Sequence, residues 1–354
     1  MSSGFRPAFL HTAPGGLPHT SAIEALSLLR SVAPTVLSCP RLPRRSANER
    51  AFVQAMQGFP GLVSRADDTR ILVERADLEA RLEHLGLAYL SRQNSIAALD
   101  ADYSVALGEL LRQAELRARP TIVTYHLPGP VSLGLHLTDD QQRPLMYDEE
   151  LFEAMVQYLA LRMSWLSARL STAADQVVIM LHEPFLSALD SPFSPLGWQD
   201  ALDLLDRVAN DAGGDVWLNI GNYTPENWPD LLQTSLSGLA FNTVQLVHLT
   251  QIPAELRQFC ERGGVLIWRL VPTEHEAAVQ HATVEHMAAE IDQTLAQMDA
   301  AGLPTEQIVQ ASLISPTNEL DHLSVPTAEQ ALRMGAALSA LLRERYQLAP
   351  TLPL

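Results

Sequence analysis

The sequence predicts an α/β fold, a single (β/α)8 barrel, on three observations. Eight short β-rich runs recur along the 354 residues, most of them followed by an amphipathic helical stretch. That many βα units, joined by right-handed crossovers, favour closure into a barrel over an open sheet. No linker-like segment interrupts the alternation, and the length suits one barrel. The composition, 47% hydrophobic and 18% charged, supplies a core and excludes wholesale disorder. One domain over 1–354 is expected, with 60–118 as a hairpin and helical excursion in the N-terminal third.

The first strand is expected over 8–12, ended by the turn Pro14-Gly15-Gly16. A helix follows over 21–31, where Ser21 and Glu24 have capping-box spacing. The second strand falls at 35–38 and a helix at 47–57. Runs at 62–64 and 70–74 flank Ala66-Asp67-Asp68 as a hairpin, with helical stretches at 77–91 and 100–117. The third strand covers 121–126, and the long helix 148–170 carries Leu151, Met155, Leu159 and Leu166 on one face. A strand at 177–181 leads to a helix at 197–211, stopped by Gly213-Gly214. The remaining strands are expected at 216–220, 239–243, 265–271 and 308–314. Helices are expected at 226–234, 253–262, 283–301 and 327–345.

The formal net charge of −17 excludes the basic stripe that a nucleic acid or an anionic membrane selects. All 24 basic residues are arginines. Without lysine there is no Schiff-base residue, no phosphate-loop lysine and no lysine general base. The two cysteines, Cys39 and Cys260, have no paired spacing, and Cys260 reads as a buried helical thiol. With no signal-type segment and no run of 18 apolar residues, a soluble cytoplasmic protein is expected, acting on a small molecule.

In a barrel, function gathers where the strands end. The strand ends here carry His19; Arg44 and Arg45; Tyr125-His126; His182-Glu183-Pro184; Asn219, Gly221 and Asn222; Asn242 and then His248; Trp268 and Arg269; and Thr317-Asn318-Glu319. Together they predict a polar pocket at one rim. His84, His281 and His286 read as surface residues, and Trp165 and Trp217 as core.

Six collinear segments resemble a known family: GGLPHT (15–20), RLPRRS (41–46), HLPGPVSLGLHLTD (126–139), LHEPFLSALDSPFSPL (181–196), GGVLIWRLVPT (263–273) and SLISPTNELDHLS (312–324). The family is the catalytic-domain-like branch of cobalamin-independent methionine synthase, in the superfamily that also holds uroporphyrinogen decarboxylase. The resemblance implies a TIM barrel and a zinc ion, held by one His, two Cys and one carboxylate, that activates a thiol for methyl transfer. By that resemblance the ligand positions are Leu218, Ile220, Asn242 and Asn318, none of them a usual zinc ligand. His182 stands where the family has an Asp that looks like the holder of a substrate amine.

The expected function is therefore a methyltransferase-like reaction on a small molecule, without the family zinc. His182, Glu183 and His19 are the candidate catalytic residues. Arg44, Arg45, His126, Asn222, Asn242, Trp268, Asn318 and Glu319 are the candidate substrate-binding residues. No metal ligand is assigned, and the cofactor, donor and substrate stay open. Three alternatives stand beside this reading. A metal relocated to His126, His182 and Glu183, with His248 as a further ligand, is one. Decarboxylation, with Arg44 and Arg45 clamping carboxylates, is another. The last is a ligand-binding or regulatory barrel without catalysis.

Overall fold

The computed structural model describes residues 5–64 and 71–348. Eight parallel strands form the barrel sheet: β1 (Leu10–His11), β2 (Val36–Cys39), β3 (Ile122–Pro128), β4 (Gln176–His182), β5 (Asp215–Asn219), β6 (Gly238–Phe241), β7 (Val265–Val271) and β8 (Ser312–Pro316). Their order is β1-β8-β7-β6-β5-β4-β3-β2, every neighbour parallel. The fold is a single (β/α)8 barrel.

The seam between β1 and β2 is joined differently. Among the described residues no ladder pairs these two strands. A parallel bridge between Gly16 and Arg41, just beyond the strand ends, closes the ring. Its bonds run from Leu17 N–H to the Arg41 carbonyl (3.0 Å) and from Arg41 N–H to the Gly15 carbonyl (2.6 Å).

Side-chain alternation divides the apolar residues into two layers. Val36, Ile122, Val178, Met180, Trp217, Val265, Ile267 and Leu313 fill the barrel interior. The residues between them on the strands pack outward against the helices, as Leu266, Trp268 and Leu270 do on β7. Trp217 fits inside because Gly238 faces it on the neighbouring strand. A Cβ at Gly238 would lie 2.3 Å from the indole.

The excursion is only partly outside the ring. Leu62–Ser64 pairs antiparallel with Ile71–Val73, which pairs in turn with Thr138–Asp139. The expected turn at Ala66-Asp67-Asp68 lies outside the described residues. Helix Glu79–Leu90 packs on Glu149–Leu170. Helix Val105–Ala114 instead stands against Ala22–Val32 and β2, in the helical ring itself.

Among the strand boundaries that differ from expectation, two have a reason visible in the sequence. The stretch expected to open the last strand at 308 is helical over Thr305–Ala311, and β8 starts at Ser312. Ile308 and Val309 read equally as the apolar face of a short helix, which periodicity alone does not separate from a buried strand. The sixth strand stops at Phe241, and Asn242 caps a helix over Thr243–Leu249. Among the described residues no helix is long and apolar enough to cross a membrane.

Candidate functional site

The same alternation decides which strand residues look into the mouth. On β3, Thr124 and His126 follow the inward Ile122; on β4, His182 follows Val178 and Met180. On β5, Asn219 follows Trp217, and on β7, Arg269 follows Val265 and Ile267. These side chains and the loops after β1, β2 and β8 enclose a cavity of about 260 Å³. Its polar lining is Arg41, His126, His182, Asn219, Arg269, Ser315, Thr317, Asn318 and Glu319. Phe52, stacked on His136 at 3.8 Å between ring centres, supplies part of an apolar wall.

The two histidines bond ring to ring. His126 Nδ1 lies 2.9 Å from His182 Nε2, and His126 Nε2 lies 3.2 Å from Thr124 Oγ1. The neighbours fix the tautomers. Asn219 Oδ1 accepts from Gly221 N–H (3.0 Å), which turns its Nδ2 donor to His182 Nδ1 at 3.3 Å. His182 Nδ1 therefore accepts, and the proton of neutral His182 sits on Nε2 and is donated to His126 Nδ1. His126 in turn carries its proton on Nε2 and donates to Thr124.

Burial, with His182 and Arg41 adding to it against Glu319, pushes His126 down to about 3. Burial, Arg41 and Arg269, opposed by Glu319, push His182 down to about 4. Both rings are neutral at physiological pH.

Glu319 is the anion of the site. Burial acts to raise its carboxyl, but Arg41, the two imidazoles and the Gly16 N–H outweigh it and hold it near 2. Oε2 accepts from Gly16 N–H and lies 3.3 Å from Arg41 Nη2, while Oε1 lies 3.8 Å from His182 Nε2. Arg41 is buried, and among the described residues its Nε meets no hydrogen-bond partner. Arg269 is likewise buried and donates to the carbonyls of Gly221 (2.5 Å) and Thr317 (Nε, 2.9 Å), tying two loops together. Two guanidiniums and one carboxylate line the mouth, with Asp321 acting on Arg41 and Glu274 on Arg269 from outside the lining, and the two arginines suit it to an anionic group.

Of the expected site residues, His126, His182, Asn318 and Glu319 meet at the cavity. The others lie elsewhere. His19 is buried with Nε2 3.5 Å from Glu329, beside the C-terminal helix. Glu183 is fully buried, and its carboxylate accepts from the N–H groups of Val131 (2.9 Å) and Ser132 (2.7 Å). It holds the first turn of helix Pro130–His136, and Gly129 leaves it room. Arg44 and Arg45 are exposed; one donates to the Asp321 carbonyl (2.8 Å), the other to Glu49 (3.1 Å). They do not form a clamp, because five and six residues past the end of β2 the loop has already turned to the surface.

Asn242 and Asn222 bond each other at 3.0 Å outside the cavity lining. Trp268 points outward, donating to Ser312 Oγ (2.8 Å) between Phe9 and Phe241. His248 is exposed, on helix Thr243–Leu249. Leu218 and Ile220 are packed in the outer apolar layer, so the positions on β5 that face inward are Trp217 and Asn219. Leu218, Ile220, Asn242 and Asn318 do not fit the zinc that the resemblance implies, which needs thiolate, imidazole and carboxylate donors. Sequence reasoning listed Asn219 and Arg269 at the rim without giving either a role, and missed Arg41 and Phe52. Strand phase selects Asn219 and Arg269 over their neighbours, and strands buried on both faces do not display it in sequence.

Acid is expected to unfold this chain early. His11, which burial pushes down to about 4, joins His126 (about 3) and His182 (about 4) as buried neutral rings. The unfolded chain takes up protons below its ordinary histidine value of 6.5 while the native rings do not, so stability falls from there to about pH 4. Glu183, which burial raises to about 7 against its hydrogen bonds, works the other way, its stability present below 4.5 and lost as pH rises through 7. Three groups against one leave a net loss on acidification of up to about 3 kcal/mol per pH unit. Urea midpoints at pH 7 and pH 5 measure it; a midpoint that holds or rises at pH 5 contradicts the assignment.

No family profile matches the chain, and no curated protein does. Solved structures do. A methyltransferase from Methanosarcina mazei is similar with a TM-score of 0.55 at 14% identity, over 98% of this chain and 95% of its own. A Listeria monocytogenes protein, provisionally described as a vitamin-B12-independent methionine synthase, is similar with a TM-score of 0.52 at 11% identity, over 92% of this chain and 86% of its own. The shared feature is the barrel. At such identity the likeness carries no residue role across, and the site stands on its own geometry.

Proposed function

We propose that the chain is a methyltransferase-like enzyme that binds an anionic small molecule at the barrel mouth and transfers a group to or from it. The observation that carries the reading is Arg41: a buried guanidinium lining the cavity with its Nε unmet. Arg41 and Arg269 attract the anionic group, and the His182–His126–Thr124 chain holds both neutral rings in fixed orientations at the cavity wall. Glu319 holds Arg41 in place and offers Oε1 to a cationic or hydroxyl group of the substrate. Neither imidazole has a free lone pair at the cavity in this tautomer. Rate enhancement then comes from positioning and fixed dipoles rather than from a strong base. The collinear segments and the two similar barrels support the transfer of a methyl group.

A second reading, decarboxylation, is favoured by the same two arginines, now from β7 and the loop after β2 instead of Arg44 and Arg45. Purified protein is to be screened by thermal shift against small mono-, di- and tricarboxylates, with and without sulfur or amine groups. Bound compounds are then incubated with methyl donors and followed by mass spectrometry and carbon dioxide release. Methyl transfer abolished by Arg41→Met supports the proposal; carbon dioxide release selects the second reading. Binding without either reaction assigns a ligand-binding barrel. No stabilisation by any anion removes the proposal. Homocysteine with a methylfolate donor is expected to give no methionine, and robust turnover there would overturn the reading of the missing zinc ligands.

A further inference from the structure

We propose that His126, His182 and Glu319 form a binding site for one divalent transition-metal ion, of the zinc or ferrous class, whose open positions face the cavity. His126 Nδ1 and His182 Nε2 are 2.9 Å apart, His182 Nε2 and Glu319 Oε1 are 3.8 Å apart, and one donor atom from each residue lies within 4.8 Å of the others. Bonds of about 2.1 Å at angles of 90–109° require donor separations of about 3.0–3.4 Å. The imidazole pair, at 2.9 Å, lies just under that range, and small shifts of the rings and of the Glu319 side chain complete it. Two ring nitrogens facing each other share a single proton; a cation in its place satisfies both lone pairs.

The three ligands come from the ends of β3 and β4 and the loop after β8, and both histidines have a polar partner on their far nitrogen. Such partners orient metal-binding imidazoles. Two imidazoles and one carboxylate leave coordination positions for a small molecule.

Two features set the conditions. With metal on Nε2, His182 carries its proton on Nδ1, so the Asn219 amide must turn its oxygen to the ring. Arg41 and Arg269 repel a bare dication, so an anionic ligand in the cavity and the metal favour each other, by the same factor in both directions. The inference rests on the mouth being the working site. Metal binding is nevertheless measured without substrate, and anion binding without metal, so either can fail alone.

Chelator-treated full-length protein is titrated with Co(II), read by its visible absorption, and with Zn(II) and anaerobic Fe(II), read by calorimetry. One equivalent per chain is expected, with Zn(II) displacing Co(II). His126→Ala, His182→Ala and Glu319→Gln are expected to weaken binding at least tenfold, while His248→Ala and Arg44→Ala leave it unchanged. Asn219→Asp, which gives His182 Nδ1–H a carboxylate partner, is expected to tighten binding by about tenfold. Absence of a saturable Co(II) spectrum in the wild type overturns the proposal, whatever the folding of the variants. So does a folded His182→Ala protein that binds as the wild type does.

Discussion

Glu183→Ala is expected to cost about 4 kcal/mol of folding stability, the largest single effect in the region of the mouth. The carboxylate is fully buried and accepts the N–H groups of Val131 and Ser132 in the first turn of helix Pro130–His136. Its removal leaves two buried donors unmet, at about 1–3 kcal/mol each, and a cavity beside them. The damage reaches the ligand site through Pro128, which lines the mouth one residue before Gly129. Glu183→Gln keeps one acceptor oxygen and the volume, so roughly half the loss is expected. Urea unfolding of the three proteins at one pH decides it. A Glu183→Ala protein as stable as the wild type but inactive would restore the glutamate to the chemistry and refute the structural role.

Arg41→Met is expected to weaken binding of the anionic ligand by about a hundredfold, near 3 kcal/mol. The guanidinium is buried against Glu319 beside the cavity. Without it the carboxylate loses the strongest influence that holds it low and then repels the same ligand. Two losses therefore compound in one substitution. Arg44→Met and Arg45→Met serve as controls, because both side chains are exposed and bonded away from the cavity. Calorimetry with an anion that stabilises the wild type gives the numbers. Equal affinities for Arg41→Met and wild type would remove Arg41 from the binding site.

The barrel was legible because alternating strands and helices reveal themselves by period, and its strand ends located His126, His182, Asn318 and Glu319. Phase was the hidden quantity. Strand β7 reads Val-Leu-Ile-Trp-Arg-Leu-Val, apolar on both faces, since a barrel strand is buried inside and out. Nothing in that string says whether Trp268 or Arg269 looks inward. The family resemblance put its ligand positions at Leu218 and Ile220, which pack outward, while Asn219, read only as one strand end among several, faces the cavity. A marker of phase existed in Gly238, whose missing side chain makes space for Trp217. Its meaning needs the pairing of β5 with β6. Glu183 was obscured for a related reason: it follows His182 in the chain, yet one residue further the side chain has left the cavity for the helix behind it.

The clasp at the seam gives the barrel a mechanical asymmetry. Seven of its joints are ladders, while the eighth rests on the Gly16–Arg41 bridge and on two side-chain bonds, from Thr12 to the Val36 carbonyl and from Ser38 to the Pro14 carbonyl, and Glu319 grips both bridge residues. Breathing of the ring is therefore concentrated at this one slat, and amide hydrogens of Gly16, Leu17 and Arg41 are the first in the sheet region to trade with solvent. A guest that engages Arg41 tightens the hoop as it docks, so its residence and the hold of the seam rise and fall together.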